Sequence, residues 1–216
     1  MSAGSAPRWV GDRALLREFP GELAAANRSA RALGRTLGER SFPEVEDLIP
    51  AARSLLVLLR PGLPSSGELA SALEVEVAPD EGFAAPDARD HEIPVVYGGE
   101  AGPDLARIAS VHGLSQEELA SVHASVVYTV GFLGFAPGFA YLFGLPAKLA
   151  APRLATPRTK VPAGSVAIGG EFTGIYPRAT PGGWRIIGRA EVALFDAALD
   201  PPARLLPGDL VKLVPR

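Results

Sequence analysis

Apolar and polar positions in the first 80 residues alternate between helical and strand-like spacing. Apolar residues recur at helical spacing over residues 22–37, which predicts a helix that Gly38 ends. The Ser-Ser-Gly-Glu sequence at Ser65 is a capping signal and predicts a second helix over residues 65–73. Strands are predicted over residues 13–19, 46–50, 54–60 and 74–78. This order of elements predicts a small α+β domain of the ferredoxin-like type over residues 1–80.

A polar stretch punctuated by prolines follows this region. It extends from Pro79 to His91, and we place a linker at residues 81–91. The second domain is therefore expected to cover residues 92–216, beginning with a strand over residues 92–97.

Two helices are predicted at the start of the second domain. Pro103 suits a first helical position, Asp104 would complement the amide dipoles there, and Gly113 ends this helix. Ser115 and Glu118 have the spacing of a capping box, which predicts that a further helix begins there.

The remainder of the second domain offers mainly short strands with glycine and proline connections. This pattern favours a closed or nearly closed β-barrel, and so predicts a mainly-β domain. The predicted strands cover residues 126–133, 165–169, 172–176, 184–189 and 210–214.

Composition excludes several classes of function. The net charge of −3 and the dispersed basic residues lack the cationic stripe of a nucleic-acid-binding protein. Cysteine is absent from the sequence, which excludes disulfides, thiolate metal sites and cysteine nucleophiles. No stretch reaches the ~18 apolar residues of a spanning helix, so we expect a soluble, cytoplasmic protein without a membrane partner.

Residues 131–142 combine glycines with aromatic side chains. The glycine spacing resembles a nucleotide-binding pattern, but Pro137 argues for a strand leading into a fixed loop rather than a helix start. Two interpretations remain open, a loop whose aromatic rings close one end of the barrel, or a loop that also lines a pocket.

A cationic cluster follows at Arg153, Arg158 and Lys160, in a segment that prolines hold extended. A rigid extended segment that presents guanidinium groups can bind carboxylate or phosphate. The alternative is a solvated surface cluster.

Two further groups near this cluster could contact an anion or a substrate. Ser165 lacks the frame of a nucleophile, so hydrogen bonding to substrate or backbone is the favoured role of its hydroxyl. Gly182 and Gly183 lie in a predicted tight turn over residues 180–184, where successive amides could hold an anion. A plain hairpin turn is the alternative at that position.

The histidines His91, His112 and His123 are far apart and have no metal-ligand spacing. His123 precedes the strand predicted at residue 126, where a structural role is expected, and a role as general base is held open.

Several segments together resemble the family that includes the B subunit of 5-oxoprolinase, allophanate hydrolase subunit 1 and the KipI-type histidine-kinase inhibitors. The resemblance extends over nearly the whole chain. The segments that carry it are Ile93-Pro-Val-Val-Tyr-Gly-Gly-Glu100, Gly134-Phe-Ala-Pro-Gly-Phe-Ala-Tyr-Leu142, Val161-Pro-Ala-Gly-Ser-Val-Ala-Ile168 and Thr180-Pro-Gly-Gly-Trp-Arg-Ile-Ile-Gly-Arg189.

The resemblance implies a cyclophilin-like barrel as the second domain and a multi-subunit enzyme as the context. The implied partners are a C subunit of the allophanate hydrolase subunit 2 type and an A subunit of the LamB/YcsF type. Such a complex would open the lactam ring of 5-oxoproline to glutamate while splitting ATP. The isolated chain is expected to be inactive, and the family also implies the alternative of a KipI-like protein that inhibits a histidine kinase without catalysis.

Activation of a lactam by phosphorylation calls for cations and amide donors around phosphate and carboxylate. On this interpretation the anion is held by one set of groups, and the substrate is oriented by another. The first set is Arg153, Arg158, Lys160, Gly182 and Gly183, and the second is Tyr141, Ser165 and Tyr176.

Overall fold

The computed structural model describes residues 6–76, 84–85 and 87–216. The chain divides into two compact units, Met1–Phe83 and Ala84–Arg216. Within the described ranges, no helix combines the length and the apolar character needed to cross a membrane.

The N-terminal unit is an antiparallel sheet with the strand order β1-β2-β4-β3 and two helices. Its core is formed by apolar side chains of the helices and the sheet, among them Leu33, Leu55 and Leu69, each 1% exposed or less. The elements are β1 (Arg8–Val10), β2 (Ala14–Glu18), α1 (Leu23–Arg40), β3 (Val45–Pro50), β4 (Ser54–Leu59) and α2 (Gly67–Glu74).

The strand predicted over residues 74–78 is not found in the described part of the chain. Glu74 is the last residue of α2, and residues 77 and 78 lie outside the described residues. The edge of the sheet beside β2 is instead occupied by β1, which forms a hairpin with β2. The ferredoxin-like strand order is therefore not confirmed. The helical spacing of apolar residues continues to the buried Leu73, so this part of the chain belongs to α2, and the next apolar residue, Val75, is exposed.

Helix α1 extends beyond Gly38, which was wrongly predicted to end it. The helix continues to Arg40, and Ser41 ends it in a left-handed conformation with φ of 51°. The amide of Ser41 donates to the carbonyl oxygen of Gly38 at 3.2 Å. A glycine inside a helix costs only about 1 kcal/mol, so Gly38 alone does not end the helix.

The C-terminal unit contains a closed seven-stranded barrel in the order β10-β7-β6-β13-β5-β12-β9, with β9 paired to β10. The pairs are antiparallel except for β13 with β5, which run parallel. The strands of this unit are β5 (Asp90–Tyr97), β6 (Val127–Leu133), β7 (Ala140–Phe143), β8 (Arg158–Val161), β9 (Ser165–Gly169), β10 (Phe172–Ile175), β11 (Thr180–Gly182), β12 (Arg185–Ala190) and β13 (Leu210–Pro215).

Two helices follow β5, and a small sheet of β8 and β11 completes the unit. The helices are α3 (Leu105–Val111) and α4 (Gln116–Ala124), and a 3-10 turn covers Ala147–Leu149. The capping box is confirmed, because the Glu118 amide donates to Ser115 Oγ at 3.1 Å and the Ser115 amide donates to Glu118 Oε2 at 2.7 Å.

The barrel interior and one outer face are both apolar. Inward-facing residues such as Tyr128, Val166 and Leu213 have no solvent exposure. A second cluster, which includes Phe139 and Trp184, contains outward-facing residues of β9 and β12 together with Val161 of β8. The mainly-β barrel predicted from the sequence is thus present, although β7, β8 and β11 were not predicted.

A buried carboxylate anchors the start of β5 to the turn before β13. Asp209 is 4% exposed and accepts hydrogen bonds from Arg89, from the Leu206 amide and from His91 Nε2 at 3.0 Å. Burial opposes ionisation of Asp209, but these donors outweigh it and hold the pKa of the carboxyl below its ordinary value. His91 therefore has a structural partner.

Arg17 of β2 binds the C-terminal end of helix α2, and we expect this contact to stabilise the N-terminal unit. It is 3% exposed, and its Nη1 donates to the carbonyl oxygens of Leu73 and Val75. We expect Arg17→Ala to lower the free energy of unfolding by about 1.5–3 kcal/mol, since charged donors stabilise buried acceptors by that amount. Urea denaturation followed by circular dichroism measures the change.

Arg8→Ala is the matched control, because its ion pair with Glu18 is more than half exposed on both sides. Such pairs contribute little, so this variant should unfold within about 1 kcal/mol of the wild type. Equal losses in the two variants would contradict the role assigned to Arg17.

Candidate functional site

The candidate site is a cleft of about 190 Å³ on the outside of the barrel. Strands β8, β9 and β12 contribute to it together with the turn that follows β5. Its lining comprises Glu100, Ala101, Pro103, Arg158, Lys160, Pro162, Ser165, Ile186 and Arg189. Of the residues predicted from the sequence, the structure brings Arg158, Lys160 and Ser165 together here.

Strand β8 places Arg158 and Lys160 on one side of the chain, since side chains two residues apart in a strand point the same way. The extended conformation predicted for this segment is found from Arg158 to Val161, whereas residues 155 and 156 form a bend. Strand β8 pairs with β11, with Gly182 opposite Arg158. Lys160 is exposed, and no ion pair to it is found among the described residues.

Asp104 fixes the guanidinium of Arg158. Its Oδ1 accepts from Arg158 Nη2 at 2.8 Å, and its Oδ2 accepts from the Ile186 amide at 2.7 Å. The Asp104 amide in turn donates to the Ile186 carbonyl oxygen at 2.9 Å. Asp104 is the N-cap residue of α3, yet its side chain makes no capping hydrogen bond. The predicted role at the helix dipole is therefore replaced by a link between α3, β8 and β12.

Arg189 and Ser165 are directly opposite each other on β12 and β9. Opposed residues of antiparallel strands present their side chains on the same face, so Arg189 belongs to the cleft beside Ser165. Ser165 is 2% exposed, and no hydrogen bond of its hydroxyl is found among the described residues. A hydroxyl without a protein partner in the wall of a cleft is free to bind a ligand.

The turn that carries Glu100 lies against β12. The Gly98 amide donates to the Ile187 carbonyl oxygen at 3.1 Å, and the Gly102 amide donates to the Gly98 carbonyl oxygen at 2.8 Å. A Cβ atom at Gly102 would lie 2.1 Å from the Ile187 carbonyl oxygen, so only glycine fits there. The turn is thereby fixed, and Glu100 on it lines the cleft.

Tyr141 and Tyr176, predicted to orient substrate, lie in the apolar layer over the barrel rather than in the lining of the cleft. Tyr141 stacks on Phe132 with ring centroids 4.3 Å apart, and Tyr176 meets Phe139 edge to face at 5.2 Å. Burial raises the pKa of both phenols. Their rings contribute to packing, and the aromatic residues of 131–142 do not line this cleft, which favours the packing interpretation of that loop.

Arg153 is likewise outside the cleft lining. Its guanidinium carbon lies 5.9 Å from the ring centroid of Trp184, and the side chain is exposed. The cationic cluster predicted from the sequence is thus divided between the cleft and the solvated surface.

Gly182 and Gly183 do not form the predicted tight turn, because Thr180–Gly182 is a strand paired with β8. Neither glycine has a positive φ, which a concave pair of amides requires. A Cβ atom at Gly182 would lie 2.4 Å from Tyr176 Oη. The glycine therefore makes room for the Tyr176 ring. The predicted tight turn is wrong, while anion binding by the amides of Gly182 and Gly183 stays a prediction.

His123 is fully buried in the barrel and does not reach the cleft. Its Nδ1 lies 2.9 Å from Tyr97 Oη, and its Nε2 lies 2.9 Å from Thr173 Oγ1. Since Thr173 Oγ1 donates to the Ala167 carbonyl oxygen, it accepts from His123 Nε2, and Nδ1 accepts from Tyr97. Burial lowers the pKa of His123 to about 3, so the ring is neutral and structural.

Over the part of the chain that the structure describes, no group of three or more histidine, aspartate or glutamate residues could hold a metal ion.

Comparison with known proteins gives matches over most of the chain. A sequence model of the family described as carboxyltransferase domain, subdomain C and D, matches residues 6–205. The chain is 46% identical over 210 residues to the B subunit of 5-oxoprolinase from Escherichia coli O157:H7, covering 96% of this chain and 94% of that protein. It is 40% identical over 218 residues to the B subunit of 5-oxoprolinase from Bacillus subtilis strain 168, covering 95% of this chain and 90% of that protein.

Among solved structures, the crystal structure of TTHA0988 matches with a TM-score of 0.80 and 36% sequence identity. The match covers 94% of this chain and 40% of that chain, so this chain spans less than half the length of TTHA0988.

The buried His123 makes stability depend on pH. Its pKa of about 3 in the folded state is below the 6.5 of an ordinary histidine, so only the unfolded chain takes up this proton between those values. The contribution of His123 is complete above pH 6.5 and is lost as the pH falls toward 3. We expect the free-energy advantage of the wild type over His123→Gln to shrink by up to about 1.4 kcal/mol per pH unit below pH 6.5.

Urea denaturation at a series of pH values measures this change, with His112→Gln as a control at a half-buried position on the end of α3. An advantage that stays constant between pH 7 and pH 5 would show that His123 is not held neutral.

Gly102 should be intolerant of any side chain. Because an added Cβ would overlap the Ile187 carbonyl, Gly102→Ala must displace the turn, and we expect a loss of about 1–3 kcal/mol. Gly67→Ala makes the same chemical change at a helical position with open space around it, and should be neutral or stabilising. Thermal melting of the two variants checks this, and equal melting temperatures would refute the constraint.

Proposed function

The chain belongs to the family described as carboxyltransferase domain, subdomain C and D, and we propose that it is the B subunit of an ATP-dependent 5-oxoprolinase. In this role it acts with a C subunit of the allophanate hydrolase subunit 2 type and an A subunit of the LamB/YcsF type. The complex opens 5-oxoproline to L-glutamate while ATP is split. The observation that carries the proposal is the match over nearly the full length of two proteins of that name.

The chemistry of the cleft supports this proposal. A lactam is a poor electrophile, and transfer of a phosphoryl group to its oxygen would activate the ring carbon toward water. Such a reaction develops negative charge that fixed cations stabilise. Lys160 and Arg189 are exposed cations in the cleft, and Asp104 holds the guanidinium of Arg158 in place beside them.

The size of the cleft limits what it holds. Pockets for drug-sized ligands have volumes of roughly 300–1,000 Å³. A cleft of about 190 Å³ suits 5-oxoproline or a single phosphoryl group better than a whole nucleotide. We therefore assign ATP binding mainly to another subunit of the complex, and catalysis to the assembled complex rather than to this chain alone.

We also assign the barrel to the cyclophilin-like type. That assignment concerns architecture, since a fold does not by itself transfer an activity such as prolyl isomerisation.

Reconstitution tests the proposed function. The chain alone should release no glutamate from 5-oxoproline, whereas mixing it with its two proposed companion subunits should give ATP hydrolysis that depends on 5-oxoproline. Within the mixture, we expect Lys160→Ala to lower turnover on the order of 100-fold, as removal of one charge-stabilising donor does. Arg153→Ala removes the same charge outside the cleft and should leave turnover close to that of the wild type.

Glutamate released by the isolated chain would contradict the proposal that catalysis requires the assembled complex. A complete mixture without activity would contradict the enzyme role, and inhibition of histidine-kinase autophosphorylation by the same chain would then support the KipI-like alternative.

A further inference from the structure

The cleft contains a carboxylate as well as cations. Glu100 lines it together with Arg158, Lys160 and Arg189. Among the described residues, no ion pair joins Glu100 to any of these cations. Side chains of opposite charge therefore line one small cleft without forming a direct ion pair with Glu100. An acidic side chain would repel a simple anion such as phosphate, so a purely anionic ligand does not account for the lining.

We infer that the cleft takes a ligand that carries an anionic group and, at another point, a nitrogen that donates a hydrogen bond, with Glu100 as the acceptor for that nitrogen. The inference rests on the proposed function, because 5-oxoproline has both a carboxylate and a lactam N–H. It adds Glu100 and Arg189 to the proposed binding residues and assigns recognition of the lactam N–H to Glu100.

The cations divide into two kinds. Arg158 is engaged by the buried carboxylate of Asp104 at 2.8 Å, which compensates much of its charge. Lys160 and Arg189 are exposed and have no such partner among the described residues. These two side chains are therefore the available cations for a ligand carboxylate, and the free hydroxyl of Ser165 lies opposite Arg189 in the register of β9 and β12.

The backbone of Glu100 is fixed beside the cleft, where its carboxylate can distinguish a lactam from a lactone. The hydrogen bonds of Gly98 and Gly102 fix its turn against Ile187, so the backbone of Glu100 does not have to be ordered on binding. An analogue without the N–H would place a ring oxygen against the carboxylate of Glu100, and this unfavourable contact disfavours it relative to the lactam.

Isothermal titration of the full chain with two ligands tests the inference. One is 5-oxoproline, and the other is its lactone analogue, 5-oxotetrahydrofuran-2-carboxylate, in which a ring oxygen replaces the N–H. We expect the wild type to bind the lactam at least about 10-fold more tightly than the lactone. Glu100→Ala should abolish this preference, and Glu100→Gln, which keeps an acceptor oxygen, should retain part of it.

Inorganic phosphate serves as the third probe. Removal of the Glu100 charge lowers repulsion, so Glu100→Gln should bind phosphate more tightly than the wild type while binding 5-oxoproline more weakly. Glu171→Ala is the matched control, since it removes an exposed carboxylate of the same unit outside the cleft lining and should change none of these affinities.

Equal binding of lactam and lactone by the wild type would overturn the inference, as would tighter binding of 5-oxoproline by Glu100→Ala or no binding by the isolated chain. None of these results by itself contradicts the proposed function, which the reconstitution experiment tests separately. Activity of the reconstituted complex combined with any of them would place the lactam elsewhere in the complex.

Discussion

The geometry of the cleft depends on the hydrogen bonds of the Asp104 carboxylate. One oxygen binds a guanidinium of β8 and the other binds a backbone amide of β12, while its own backbone begins α3. Charge-assisted hydrogen bonds of this kind are strong in a buried setting, and removal of one partner leaves the other charge uncompensated. Three elements that are distant in the sequence are thus held together at one point.

In the C-terminal unit, the residues that pack the barrel are distinct from those that line the cleft. Inside the barrel, apolar side chains and the satisfied polar chain Tyr97, His123, Thr173 fill the space. On one outer face, the aromatic layer around Trp184 covers the strands. The side chains of Ser165, Lys160 and Arg189, for which no hydrogen bond or ion pair is found among the described residues, line the cleft. A packed interior therefore supports the polar cleft on the outside of the barrel, as the proposed binding site requires.

Local patterns predicted the elements better than the site. Alternating apolar positions placed β5, β6, β9, β10, β12 and β13 within about two residues, and the box at Ser115 was found from two side chains. Arg158, Lys160 and Ser165 were identified from proline and glycine context. Arg189 and Glu100 were missed because their place depends on strand register and on a turn packed against β12. The tight turn at Gly182 was predicted wrongly because a glycine that makes space for a ring has the same local sequence as a glycine in a turn.

The parallel pairing of β13 with β5 has a consequence for how the chain acquires its structure. Both neighbours of β5, which are β12 and β13, lie roughly a hundred residues later in the sequence. During synthesis, both edges of β5 therefore lack a strand partner, and the turn bearing Glu100 has no β12 to pack against, until residues 185–215 have left the ribosome. Barrel closure is then a late, long-range event, and its unpaired strands are the segments that chaperones would have reason to shield.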